Sequence, residues 1–510
     1  MPGPCEGPGK SLGERTAVPR EDSRTRSRPG EGPNGGETRA LFVDLDGTLI
    51  HGDTLWEAAA ALAGKNAFSF LACLPSLMAG RAAFKASVAS RLPTELGDLR
   101  LNEEVFAYVK TESEDRPVVL ATAAHKSAAD AIAEEAGFFH GVIASDGENF
   151  KSGRKLAAIR AYSQAHGFNA GFDYAGDSKA DRPIWKEAET AYVAAPDDAS
   201  ARALTGGHQN TVRLAAAKAS LKDYLKAMRL HQWVKNVLIF LPLVLSHQIF
   251  EVGKVLDALA AFVGFSLCAS ATYIVNDILD IRADRRHPRK MNRPFAAGRI
   301  PIPQGIFVSA LLLAASFAIA FLFTSPLVAL LFAGYIVFTL TYSLYLKEKL
   351  LVDAMALGIL YGYRILIGGA ASGVVVSDWL IAFSVFFFLG LALVKRYTEI
   401  SQKTPNADGK IPGRGYYAHD REIVSHLGVV ASYTSILILA LYITSPNVTV
   451  LYQEPRILWV ICLVMIYWLG RIWTLAHRGQ MPDDPIVFAL RDKVSLLCGL
   501  ICAGAILLAV

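Results

Sequence analysis

Between residues 276 and 294 the chain reads NDILDIRADRRHPRKMNRP, with carboxylates Asp277, Asp280 and Asp284 at i, i+3 and i+7. A continuing helix places all three on one face. The run adjoins a long apolar block, where three carboxylates are costly unless cations neutralise them. Mg²⁺ bridging a pyrophosphate does so, with nearby Arg and Lys engaging the free phosphate oxygens. A second cluster, DLDGT at 44–48, directly follows the apolar run ALFV. A carboxylate at a strand's C-terminal end can attack phosphorus, and one two residues on points to the same side and can protonate the leaving oxygen. Those roles fall to Asp44 and Asp46.

Two kinds of element must hold these residues. From 39 to about 205, β-rich runs at 40–44, 117–121, 141–145, 172–176 and 190–195 alternate with amphipathic helices such as KSAADAIAEEAG. That alternation predicts a parallel α/β sheet, with the helix-rich stretch 53–110 inserted as a cap and 206–224 as a linker. The cap contains FSFLACLPSLMAG (68–80), too short to span a bilayer; ordinary cap packing is the expected role, with resting on the bilayer surface as the sharper alternative. From 225 to 510 apolar blocks dominate, nine of them, at about 233–250, 255–275, 303–323, 327–346, 350–371, 379–394, 424–445, 457–476 and 486–509. An all-α bundle of nine transmembrane helices follows.

The bulk figures agree: of 510 residues 52% are hydrophobic and mean hydropathy is +0.32. A net charge of +5 does not point to nucleic acid, and the six cysteines show neither ligand spacing nor a disulfide framework. Residues 1–38 are Gly/Pro/Arg-rich, lack the apolar core of a signal peptide, and read as a disordered tail. Loop cations gather in every second loop, after blocks two, four and six: Arg282, Arg285, Arg286, Arg289, Lys290, Arg293 and Arg299, then Lys347 and Lys349, then Lys395 and Arg396. By the positive-inside rule these loops and the N-terminal domain share the cytoplasmic side of a multi-pass protein of the cell inner membrane.

The order of DLDGT, VVLAT ending in Thr122, KSGRKLAAI with Lys155, and GDSKAD with Asp177 and Asp181 resembles the haloacid dehalogenase superfamily over roughly residues 40–200. The resemblance implies a Mg²⁺-dependent phosphotransferase fold, Rossmann-like, with Asp44 as nucleophile and Asp46 as acid and base. Thr122 and Lys155 would hold phosphate oxygens, and Asp177 and Asp181 would join Asp44 and Asp46 around the metal.

The pattern NDxxDxxxDxxHPxKxxRP resembles the UbiA superfamily of intramembrane prenyltransferases over about residues 220–510. It implies a nine-helix bundle around a cavity, with Asn276, Asp277, Asp280 and Asp284 as the first metal–diphosphate motif and His287, Lys290 and Arg293 at the head group. Where aromatic prenyltransferases carry a second aspartate-rich motif, this chain has only Asp353, with Leu at position 357. LHQWVKN (230–236), the stretch 350–373, KRYTE (395–399) and DPIVFALRD (484–492) look like the decaprenyl-phosphate phosphoribosyltransferase branch. That branch implies phosphoribosyl pyrophosphate as donor and a polyprenyl phosphate as acceptor. Lys235, Lys347, Lys395 and Arg396 then stand ready for the two phosphate groups. Arg364, deep in an apolar block, calls for a partner, and a ligand is the expected one because Asp353 lies three turns away. The expected sequence is transfer of the phosphoribosyl group, then removal of its 5-phosphate by the fused phosphatase. Two alternatives remain: a prenyl diphosphate donor with an aromatic acceptor, and a non-catalytic bundle anchoring a phosphatase.

Overall fold

The computed structural model describes residues 39–92, 96–145, 150, 152–216, 218–402, 408–446, 448–482 and 484–510. The expected N-terminal tail, residues 1–38, lies outside them.

Six parallel strands form one sheet in the order β3-β2-β1-β4-β5-β6: β1 Ala40–Val43, β2 Val118–His125, β3 Gly141–Ser145, β4 Phe172–Gly176, β5 Ala191–Ala195 and β6 Thr211–Ala215. The strands read as continuous apolar runs because helices cover both faces. β1, buried throughout, lies between β2 and β4, so the chain leaves it in the crevice where strand order reverses. DLDGT occupies that exit. The stretch 206–224, expected as a linker, supplies β6, which pairs with β5 over five residues. Its Arg213 hid the strand: β6 is an edge, and an edge strand tolerates an outward charge.

The cap begins with α1 (Thr54–Lys65), whose N-cap Asp53 accepts from the Leu55 amide, and continues through α2 (Ala67–Leu71). Lys155 sits in the first turn of α3 (Gly153–Ala165).

Seven helices of the second half are long and apolar enough to cross a membrane: α4 Val252–Leu279, α6 Ile302–Phe323, α7 Pro326–Leu344, α8 Val352–Ser372, α9 Asp378–Gln402, α10 Arg421–Ile443 and α11 Trp459–His477. Between α4 and α6 lies the short α5 (Ile281–Arg285). The first and last expected blocks differ. Residues 230–245 break into a 3₁₀ stretch, Leu230–Phe240, and a short helix, Leu241–Leu245. Pro242 lacks the N–H that one continuous α-helix would need there. In the last block, α12 (Lys493–Ala509) starts only at its N-cap Asp492 and has 17 residues, about 26 Å, slightly under the roughly 30 Å hydrocarbon core. The nine expected spans are thus seven long helices and two shorter apolar segments among the described residues.

Candidate active sites

At the C-terminal end of the sheet, Asp44, Asp177 and Asp181 each bring a carboxylate oxygen within 4.8 Å of the others. Lys155 reaches in from α3, its Nζ 2.8 Å from Asp44 and 3.4 Å from Asp181, and donates to the Tyr174 hydroxyl at 2.9 Å. Asp181 is fixed further by Tyr174 (3.0 Å) and Ser178 (2.9 Å). Asp46 accepts from the Thr54 amide at 2.8 Å, which ties it to the start of the cap. Gly47 adopts φ 75°, and a Cβ there would lie 2.0 Å from an Asp177 oxygen, so the turn accepts only glycine. Thr122 is fully buried and accepts from the Ala124 amide at 3.0 Å, while its neighbour Ala123 lines the cavity over Asp44.

Burial raises the carboxyls of Asp44 and Asp177, Asp177 well above its ordinary range. Burial would lower Lys155, yet the charges of Asp44 and Asp181 hold it above its usual value. Crowded carboxylates with raised affinity for protons gain equally from a divalent cation, and three hard oxygen donors suit Mg²⁺. Burial, with Asp53 adding to it, pushes Asp46 up to about 7. An acid that must arrive protonated loses effect as pH rises through that value. We therefore expect kcat/KM for an alkyl phosphate to hold below about pH 7 and fall about tenfold per unit above it, and the fall to vanish in Asp46→Asn. A profile flat to pH 9 in the parent would remove Asp46 from the role.

The second site lies where α4 ends against the N-terminal domain. Arg293 bridges two of its carboxylates, reaching Asp277 at 3.0 Å and Asp284 at 2.6 Å. Arg229 also pairs with Asp277, and Lys290 stands 3.8 Å from Asp284. Burial pushes the Asp284 carboxyl up, against the pull of Arg293. Asp280 is bonded by Asn276 at 3.2 Å and paired with Lys347 at 2.7 Å, which brings the loop after α7 to the motif. His287 accepts from the Arg289 amide at 3.2 Å at the turn that leads to Lys290. The expected continuing helix is interrupted at Asp280, the C-cap of α4, so Asp277 lies in the last turn of α4 and Asp284 on α5, and each carboxylate meets a cation. The donor set is again hard oxygen, although the three carboxylates do not all come within 4.8 Å of one another.

Three expected ligand-binding residues prove to be spoken for. Asp353, fully buried, pairs with Arg396 and accepts from the Tyr416 hydroxyl at 2.5 Å. Arg396 also pairs with Glu399, which Arg414 meets at 3.2 Å. The Asp353–Arg396 pair joins α8 to α9. Removing one partner strands a buried charge, so Asp353→Ala should cost about 3–5 kcal/mol of stability, read as a lowered Tm in detergent. An unchanged Tm would contradict the pairing. Arg364 is satisfied without a ligand: it donates to the Asn236 side chain at 2.9 Å and to the Leu360 carbonyl, and lies 5.3 Å from the Phe265 ring and 5.4 Å from that of Tyr361. Aromatic faces offset the desolvated cation.

Lys235 pairs with Asp484 and lies 5.7 Å from the Tyr361 ring, and Lys395 is within electrostatic reach of both charges. Sequence reasoning missed Asp484 and Arg229 as site residues; the only available signals were their places in DPIVFALRD and just before LHQWVKN. It also missed the joint between domains. Arg285 donates to both Glu57 oxygens (2.9 and 2.8 Å), to the Asp98 carbonyl (2.7 Å) and to the Ala296 carbonyl (3.0 Å). Arg286 and Arg282 meet the Asp98 carboxylate at 2.6 and 3.0 Å. So α5 carries Asp284 on one side while the cap grips its arginines on the other.

The UbiA prenyltransferase family model matches residues 239–496, and the haloacid dehalogenase-like hydrolase model residues 41–186. The uncharacterized protein y4nM of Sinorhizobium fredii is 38% identical over 473 residues, 92% of this chain and 90% of its own, so both halves recur together. The nodulation protein NoeC of Azorhizobium caulinodans is 33% identical over 291 residues, 56% of this chain and 92% of its own. The decaprenyl-phosphate phosphoribosyltransferase of Corynebacterium glutamicum is 37% identical over 179 residues, 34% of this chain and 54% of its own.

Proposed function

The chain belongs to the UbiA prenyltransferase family and carries a haloacid dehalogenase-like hydrolase domain, and on that premise we propose that it performs two reactions in succession on one lipid. The membrane domain moves a phosphoribosyl group from phosphoribosyl pyrophosphate to a polyprenyl phosphate. The hydrolase domain then removes the 5-phosphate. Both act on the cytoplasmic face of the cell inner membrane, a placement supported by the cationic loops gathered at the end of the bundle that meets the hydrolase.

The observation that carries the soluble donor is the burial of Asp353 against Arg396 and Tyr416. It leaves one carboxylate motif instead of two, and so no second carboxylate site for a metal-bound prenyl diphosphate. The similarity to the decaprenyl-phosphate phosphoribosyltransferase supports the same choice. Asn276, Asp277, Asp280 and Asp284 would hold Mg²⁺, which when bound offsets the charge of departing pyrophosphate. Arg229, Arg293 and Lys347 are placed to take phosphate oxygens as they exchange their carboxylate partners. Lys235 and Lys395 serve the acceptor phosphate. An acceptor oxygen bonds to the anomeric carbon as the bond to pyrophosphate breaks, and the anionic acceptor needs no base.

In the hydrolase, Asp44, Asp177 and Asp181 would hold Mg²⁺, which shields the phosphoryl charge. Asp44 forms a bond to phosphorus, the ester P–O bond breaks, and Asp46 gives its proton to the leaving oxygen. Asp46 then takes a proton from water, which attacks the aspartyl phosphate and releases inorganic phosphate. Lys155 steadies the developing charge. Membranes carrying the chain, incubated with labelled phosphoribosyl pyrophosphate or labelled farnesyl diphosphate, test the first reaction. Label should enter lipid from the first donor alone; entry from farnesyl diphosphate alone overturns the assignment.

A further inference from the structure

The cavity that opens over Asp44 does not end inside the hydrolase domain. It measures about 1000 Å³ and runs to Arg299, Ile302 and Gln304, at and just before the first turn of α6. That is the upper end of the roughly 300–1,000 Å³ range of small-molecule sites, and more than a lone sugar phosphate needs. Its walls change along the way. Asp44, Asp46 and Lys155 of the sheet domain line it, as do Lys218 from the stretch between the domains and Arg299 and Ile302 from the membrane domain. Arg299 is fixed there by Asp223 at 3.1 Å and by the Asn292 carbonyl at 2.6 Å, whereas Lys218 is exposed.

Two further observations bring the cap up against the membrane domain. Gly64, near the C-terminus of α1, sits against the carbonyl of Leu279, the last residue of α4; a Cβ there would lie 2.2 Å from that oxygen. The cap is thus seated on the end of a membrane-spanning helix. The cap segment that follows turns its apolar side chains outward, with Phe68 85% and Met78 95% exposed and Leu71 and Leu77 about half exposed. An apolar edge at that depth matches lipid head groups and acyl chains, not water.

We infer that the hydrolase domain takes a phosphate monoester whose other end is a lipid phosphate still anchored in the bilayer. The terminal phosphate meets Asp44, the inner diester phosphate meets Arg299 and Lys218, and the hydrocarbon tail leaves past Ile302. Water is consumed, inorganic phosphate is released, and the diester to the lipid stays intact. The sugar between the two phosphates rests on the proposed transferase reaction; the lipid anchor does not.

The test supplies the full chain in lipid nanodiscs with ribose 5-phosphate or with synthetic farnesyl-phosphoryl-ribose 5-phosphate and follows phosphate release. The lipid-linked monoester should be preferred in kcat/KM by well over tenfold. Lys218→Glu and Arg299→Ala should each reduce that preference roughly tenfold, through KM. Lys218 is exposed, so its variant reads out the subsite even where Arg299→Ala disturbs folding. Equal kcat/KM for the two substrates, release from neither, or a preference unmoved in both variants overturns the inference. Because the lipid substrate is synthetic, a failure to transfer labelled phosphoribose would sink the transferase reading alone and leave this result standing.

Discussion

Asp277→Asn should reduce phosphoribosyl transfer by about a hundred- to a thousandfold, the order expected when one preorganised charge is removed from a leaving-group site. Asp277 is 2% exposed and is the carboxylate that Arg229 and Arg293 share, so its loss removes one charge and takes a partner from two guanidiniums. The amide keeps the shape but cannot balance two guanidiniums, and it offers a poorer oxygen to a divalent cation. Asp280→Asn is the companion variant. It releases Lys347 instead of the two arginines and should also lose activity, with a different salt dependence. Label incorporation would be measured in membranes matched for protein content and Tm. Retention of most activity in both variants would favour the non-catalytic bundle over a transferase.

The second large effect belongs to Asp44→Asn. Removing a nucleophile of this kind costs roughly 10⁴-fold or more, because no other group forms the covalent bond. The variant should fold, since Lys155 keeps Tyr174 and Asp181 as partners. Transfer should continue in it, so the lipid product should accumulate with its phosphate intact, visible by mass spectrometry of extracts. The idea fails if phosphate release persists in the variant, or if the unmodified chain leaves the same phosphorylated lipid untouched.

Local patterns in the chain were the legible ones. The i, i+3, i+7 carboxylates, the DLDGT strand exit and five of the six strands are properties of neighbouring residues, and the fold keeps them. What escaped depends on distant partners. Asp353 looked like a remnant of a metal motif because its true partner, Arg396, lies on the next helix and Tyr416 beyond that. Arg364 looked unpaired because Asn236 and its aromatic neighbours come from other segments. The broken first block was concealed by composition: Leu, Ile and Val around Pro242 read as a span, although Pro242 opens a new short helix after a 3₁₀ stretch. Glu57 and Asp98 carry no motif at all, and only docking reveals them.

That docking has a consequence for flux. Both domains share one chain, so no change in expression can alter their ratio, and Glu57 and Asp98 hold Arg285, Arg286 and Arg282 to fix how they meet. A product released at one centre meets the other at the millimolar effective concentrations typical of tethered partners, rather than at its dilute level in the membrane. On the proposed reading, hydrolysis there would drain the transferred lipid before pyrophosphate could reverse its formation. The proposed transfer would thereby acquire a direction, set by the joint between the domains.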